Sequence, residues 1–278
     1  MVRGDLSGTV LLLARWTLVA LVVYAALVAF AWVFQTSLIY PAPRGAVPVP
    51  LGFAEVSMPT ADGLSLRAFE RPARSDLATI VHFHGNGGSL AGALIETRAL
   101  AEAGYGLLLV NYRGYGTNPG TPSEEGLYAD GRAAFAHLAR QGIKPSDTIV
   151  MGNSIGSGTA TQMALEFAPL ALILVSPFTS LTDVAADTMW FLPVRRLLRD
   201  RFDNRAKIAR LPMPVLIQHG TADTLIPPAH ARALADAAPR PTLQLFAGRG
   251  HDLSFYPEPQ EAQVEWLAEL PAAAGPFR

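Results

Sequence analysis

The chain has 278 residues, half of them apolar, a formal net charge of -1 and no cysteine. That length can bury one large core, and α/β sheets of this size commonly remain a single domain. The near-neutral charge leaves no field to gather nucleic acid, and the lack of cysteine removes disulfides, thiolate nucleophiles and cysteine-bound zinc together.

From Trp16 to Phe34 the chain carries no charge, and the apolar run extends back through Val10 if Arg15 snorkels. Such a run is long enough to cross a hydrocarbon core of about 30 Å. Trp16 and Trp32 lie near its ends, where amphipathic rings favour the headgroup region, and Arg3 and Arg15 both lie on its N-terminal side. Residues 1–34 therefore read as a transmembrane signal anchor with a cytoplasmic N-terminus and an extracytoplasmic domain. Ala29-Phe30-Ala31 also fits a signal-peptidase site, which would make the mature protein secreted or periplasmic. The apolar run continues past that site through Trp32-Val33-Phe34, which favours the uncleaved anchor. Residues 35–52, with Pro41, Pro43, Pro48 and Pro50, read as an extended tether, and residues 53–278 as the folded unit.

Within that unit Ala61-Asp62-Gly63 separates two short alternating runs in Ser57 to Glu70, which predicts an antiparallel hairpin at a sheet edge. Thr79 to Phe83 is a continuous apolar run interrupted by His82, the pattern of a strand covered on both faces. His84-Gly85-Asn86-Gly87-Gly88 follows, then one helix over Ser89 to Glu102 and a buried strand over Gly106 to Asn111. Neither glycine cluster completes a dinucleotide-binding G-x-G-x-x-G, and no P-loop lysine is present. The remaining use for such a loop is to offer backbone N–H groups to a developing oxyanion. His82 and His84 share one strand face, but without further ligands they read as one core histidine and one brace for the loop. Glu124 to Gln141 is an amphipathic helix and Thr148 to Met151 the next strand, so the sheet is mostly parallel and doubly wound.

Gly152-Asn153-Ser154-Ile155-Gly156 then breaks the apolar strand into a G-x-S-x-G turn. A serine on a tight strand-to-helix turn projects its hydroxyl above the sheet, and glycines two residues to either side avoid a Cβ collision. After a strand at Leu170 to Val175, residues 176–211 interrupt the alternation as a small cap-like insertion, aromatic at Met189 to Leu192 and basic from Arg195 to Arg210. Such a basic stretch is a solvated helical face, or in a tethered enzyme a surface set against anionic headgroups. The strand Pro214 to Gln218 leads to His219-Gly220-Thr221-Ala222-Asp223 and a helix at Ala229 to Ala238. A last strand, Thr242 to Phe246, leads to Gly250-His251 and a closing helix at Glu258 to Leu270.

A serine hydroxyl needs an imidazole to take its proton and a carboxylate to orient that imidazole. Ser154, Asp223 and His251 occur in the order expected around a nucleophile elbow, each just beyond a strand. Asp183 is an alternative acid. His219 reads as support for the acid loop, and His137 and His230 as surface residues within helices. The oxyanion would be held by the backbone N–H groups of Ile155 and Asn86, with little role for their side chains.

On these motifs, together with Asn111-Tyr112-Arg113-Gly114-Tyr115-Gly116, the chain resembles the α/β-hydrolases, in particular membrane-anchored serine hydrolases with an H-G-N-G-G oxyanion loop. The resemblance implies the α/β-hydrolase fold and cleavage of carboxylic esters, thioesters or lysophospholipids, with removal of fatty acyl chains from proteins in some relatives. The expected activity is that of a carboxylesterase- or lipase-like serine hydrolase acting through an acyl-enzyme on a small-molecule or lipid-like acyl substrate, with no metal or organic cofactor. A serine peptidase, an acyltransferase or a non-catalytic membrane-tethered binding module on the same scaffold are the alternatives.

Overall fold

Alternate residues of the central strands feed two separate cores, and that division explains why those strands read as unbroken apolar runs. Val81, Leu108, Val150, Leu172 and Val215 face one core, while Ile80, Leu107, Ile149, Ile173 and Leu216 face the other. A strand with helices on both faces has no solvent side to fill with polar residues. The computed structural model describes residues 6–74 and 77–270, so Arg3 and the last residues of the expected folded unit lie outside the described residues.

The sheet has eight strands: β1 (Ala54–Pro59), β2 (Ser65–Arg71), β3 (Thr79–Phe83), β4 (Gly106–Val110), β5 (Thr148–Asn153), β6 (Ala171–Val175), β7 (Val215–Gly220) and β8 (Pro241–Phe246). Their order is β1-β2-β4-β3-β5-β6-β7-β8. The first two pairings, β1 with β2 and β2 with β4, are antiparallel, and the others are parallel. The hairpin around Ala61-Asp62-Gly63 thus forms the expected antiparallel edge. The predicted helix over Ser89 to Glu102 is instead two helices, α2 (Leu90–Glu96) and α3 (Arg98–Ala103). They part at Thr97, whose hydroxyl bonds back to the Ala93 carbonyl at 2.8 Å, a local competitor for helical hydrogen bonding. The other long helices are α4 (Glu124–Arg140) and α5 (Gly156–Phe167), and between β6 and β7 come α6 (Leu181–Thr188), α7 (Val194–Leu197) and α8 (Asn204–Ile208). The chain closes with α9 (Ala229–Ala237) and α10 (Pro257–Glu269).

The N-terminal helix α1 runs from Leu6 to Ile39, past the boundary expected at Phe34, and is long and apolar enough to cross a membrane. Its last turn is not a free tether. Gln35 is buried and receives the Arg199 backbone N–H at 3.0 Å, while its amide donates to the Trp32 carbonyl at 2.9 Å and to the Leu197 carbonyl. Tyr40 is buried too and donates to Asp200 at 2.7 Å, and Arg44 pairs across to Gly116. Prolines in this stretch prevent regular structure without preventing packing.

One buried ion pair locks the turn after β4 to α4. The Asp130 carboxylate accepts the Arg113 backbone N–H at 2.9 Å and its Nε at 2.8 Å, and the far end of the guanidinium reaches Asp62 at 2.6 Å. Asp130 is fully buried whereas the Asp62 side chain is 49% exposed. Removing one partner of a buried pair strands the other charge, so Asp130→Ala should cost about 3–5 kcal/mol. Asp62→Ala should cost at most about 1 kcal/mol. Urea denaturation midpoints of the two variants check this; equal losses would contradict the account.

Candidate active site

The carboxyl ends of β3, β5, β7 and β8 converge on one edge of the sheet, and each contributes one residue or loop there. Open α/β sheets assemble their sites at that edge because the connections that follow the parallel strands leave from it. Ser154 follows β5 with φ at 51°, a left-handed conformation disfavoured for a residue with a side chain. Its neighbours show why the turn needs small residues. A Cβ on Gly156 would strike the Phe83 and His84 carbonyls, and one on Gly152 would strike the backbone of Gly156 and the Ala160 side chain. The turn therefore packs its backbone directly on β3 and α5, and the serine hydroxyl is left at the top.

The structure brings Ser154, His251 and Asp223 together. His251 Nε2 lies 2.9 Å from Ser154 Oγ, and His251 Nδ1 lies 2.7 Å from Asp223 Oδ2. An ionised carboxylate only accepts hydrogen bonds, so Nδ1 carries the proton and Nε2 is free to accept from the serine hydroxyl. Asp223 also accepts the backbone N–H groups of Leu225 at 3.0 Å and Ile226 at 2.9 Å, and His219 Nε2 stands 3.2 Å from it. Burial pushes the Asp223 carboxyl up, but the bonds from His219, His251 and Ile226 outweigh it and hold the group well below the usual carboxylate range. A Cβ on Gly220 would strike the Arg249 backbone, so this glycine is what lets the His251 loop lie close over the end of β7.

Asp183, the other acid weighed from the sequence, is engaged elsewhere: its carboxylate accepts from the Thr179 hydroxyl at 2.9 Å and pairs with Arg195 at 3.2 Å, while its backbone N–H donates to the capping Ser180 hydroxyl at 3.0 Å. His230 is buried rather than a surface residue, with Nδ1 against the Thr179 hydroxyl at 2.8 Å and Nε2 at 3.2 Å from Asp187. It joins α9 to the insertion. His137 is half-buried and meets Glu70 at 2.9 Å.

The glycine loop after β3 lies against the elbow, since a Cβ on Gly85 would come 3.5 Å from the Ser154 Cβ. Among the described residues, the backbone N–H groups of Asn86 and Ile155 meet no acceptor. His84 braces the loop as expected, with Nδ1 at 2.9 Å from the Gly85 carbonyl and Nε2 at 3.1 Å from Asn111. The Asn86 side chain has a larger part than the sequence suggested. It donates to the Ile39 carbonyl at the end of α1 at 2.5 Å and accepts from the Tyr115 hydroxyl at 3.0 Å and from the Gly87 N–H.

Sequence reasoning missed a buried brace beneath the elbow. Asn153 donates to Ser254 at 2.9 Å and to Glu96 at 3.2 Å, and Glu96 meets His82 at 2.9 Å. Burial pushes the Glu96 carboxyl up, but His82 outweighs it and keeps the group below its ordinary value. His82 thus has a carboxylate partner that its strand position did not announce; an Asn next to the serine was the only sequence signal for this group.

A family model described as the alpha/beta hydrolase fold matches residues 78–202. An uncharacterized protein of Mycobacterium tuberculosis is 36% identical over 244 residues, which is 84% of this chain and 86% of that one. Alpha/beta hydrolase domain-containing protein 17B of Homo sapiens is 37% identical over 163 residues, 57% of this chain and 55% of that protein. Among solved structures, an esterase from Pyrococcus furiosus aligns with a TM-score of 0.67 at 18% identity, covering 82% of this chain and 96% of that chain. An esterase from a Rhodococcus species aligns with a TM-score of 0.62 at 18% identity, covering 80% and 100%. At such low identity these two likenesses concern the fold.

Proposed function

The chain belongs to the α/β-hydrolase family, and on that premise we propose that it is a serine hydrolase cleaving carboxylic ester or thioester bonds of an acyl substrate. One observation carries the reading: an unbroken relay from Ser154 Oγ through both nitrogens of His251 to a buried carboxylate, beside two backbone N–H groups that meet no acceptor among the described residues.

In the proposed reaction Ser154 Oγ attacks the acyl carbonyl while His251 Nε2 takes its proton, and Asp223 stabilises the resulting imidazolium through Nδ1–H. The tetrahedral oxyanion accepts from the N–H groups of Ile155 and Asn86, donors already oriented before reaction. The intermediate collapses, the C–O or C–S bond breaks, and His251 returns the proton to the departing alcohol or thiol. Water, deprotonated by the same imidazole, then attacks the acyl-enzyme and releases the carboxylic acid and Ser154.

The helix α1 is the proposed membrane anchor, with Arg15 on the cytoplasmic side and the hydrolase domain outside. A helix whose long run of apolar side chains is exposed is stable only where lipid or another apolar surface covers it.

The test is labelling of the full-length chain by a fluorophosphonate, which traps an activated serine. Labelling of the native protein, its loss in Ser154→Ala, and turnover of p-nitrophenyl esters far above that of peptide amides are the expected results. Folded protein that resists the probe would end the hydrolase reading.

A further inference from the structure

The tip of the insertion is a second apolar surface that the chemistry above does not use. Between Asp187 and Arg195 the chain has no charge, and Met189, Trp190 and Phe191 are exposed, Trp190 at 84%. Contiguous large apolar side chains of this kind mark a contact surface. Trp190, Leu192 and Val194 also line a hollow of about 350 Å³ together with Arg195 and Arg196. An apolar lining with two arginines matches an acyl chain joined to an anionic headgroup.

The height of this tip along α1 is set by contacts. The Tyr24 hydroxyl donates to the Phe191 carbonyl at 2.9 Å, and Val28 and Ala31 pack on Ala185, Leu192 and Val194. Further along the helix, Arg199 stacks over Trp32 at 4.6 Å and donates to its carbonyl at 3.2 Å. Charge fixes the register of the helix in a bilayer: Arg15 and the Arg199–Trp32 pair bracket an uncharged run whose length at 1.5 Å per residue is about 26 Å, close to a hydrocarbon core of about 30 Å. Tyr24 lies eight residues before Trp32, about 12 Å down the axis. The tip bonded to it then lies among acyl chains, below the arginines.

We propose that residues 189–193 enter the outer leaflet beside α1, with Arg195, Arg196 and Arg199 at the headgroups, so that the domain meets the bilayer at two elements. This rests on the anchor reading of α1. Two elements fix orientation as well as distance. Ile39, which holds Asn86, is seven residues beyond Trp32, about 10 Å above the headgroup plane. The oxyanion loop is thereby held at the height of an acyl group joined to something just outside the membrane, which names acylated amphiphiles of the outer leaflet as the substrate class.

Because the chain has no cysteine, single cysteines carrying the fluorophore NBD can report depth in the full-length protein. The probe membrane is phosphatidylcholine vesicles with phosphatidylglycerol and acyl-chain doxyl quenchers. Labels at Trp190→Cys and at Met189→Cys, which keeps Trp190, should be quenched several-fold more than one at Leu51→Cys on the domain surface, as should one at Leu18→Cys in α1. If positions 189 and 190 behave like 51 while 18 is quenched, the tip is not inserted and only the anchor stands. If 18 also remains unquenched, the anchor reading fails, and the second contact fails with it.

Discussion

Ser154→Ala is expected to lower kcat/KM for an activated ester by about 10⁴- to 10⁶-fold, because the attacking oxygen is gone while the oxyanion donors and binding surface remain. The backbone conformation adds a second readout. Ser154 sits at φ 51°, and alanine there keeps the same left-handed strain. Ser154→Gly should lose activity to the same extent but gain roughly 1 kcal/mol of stability, since glycine adopts that region without a Cβ clash. Ester turnover and chemical denaturation of both variants separate the two effects. Residual activity within tenfold of the wild type in Ser154→Ala would remove the serine from the reaction. Unchanged stability in Ser154→Gly would show that the turn stores no strain.

Asp223→Asn is expected to cost about 10⁴-fold in kcat with little change in KM. The side chain keeps its size, but its amide presents a donor to His251 Nδ1, now 2.7 Å from a carboxylate oxygen. The imidazole answers by moving its proton to Nε2, where it can no longer accept from Ser154. Stability should respond to pH as well. The folded-state pKa of Asp223 is depressed below the unfolded value of about 3.9. Its stabilising contribution is therefore complete above that value and is lost as pH falls through the folded-state pKa. Urea melts from neutral pH down into the acid range should show a shallower loss in Asp223→Asn than in the wild type. A variant that keeps most of its kcat would reassign the orienting acid.

The features legible in consecutive residues were those set by local geometry. Apolar runs bounded by glycines marked the parallel strands because a strand covered on both faces needs no polar residue. The glycines at 152 and 156 marked a turn because only a hydrogen in place of Cβ fits against the Phe83 and Gly156 backbones. Ala61-Asp62-Gly63 marked the antiparallel edge because a tight reversal needs a residue at positive φ, and Gly63 has φ 87°. Each of these demands is met within a few residues, so each leaves a local trace.

What only the tertiary structure decided are contacts whose partners lie far apart in the chain. Strand order brings Ser154 within 2.9 Å of a histidine 97 residues later, and the same order picks Asp223 over Asp183, which is held by Thr179 and Arg195 instead. The bond from Asn86 to Ile39, the burial of His230 against Thr179, and the brace from Asn153 through Glu96 to His82 likewise join residues well separated along the chain. So is the seat of α1 on the insertion, where Gln35 and Tyr40 turn an apparent proline-rich tether into packed structure. A side chain's type limits the bonds it can make, but which partner completes them depends on how the sheet and its connections close around it. That closure is a property of the whole chain, written in no single stretch of it.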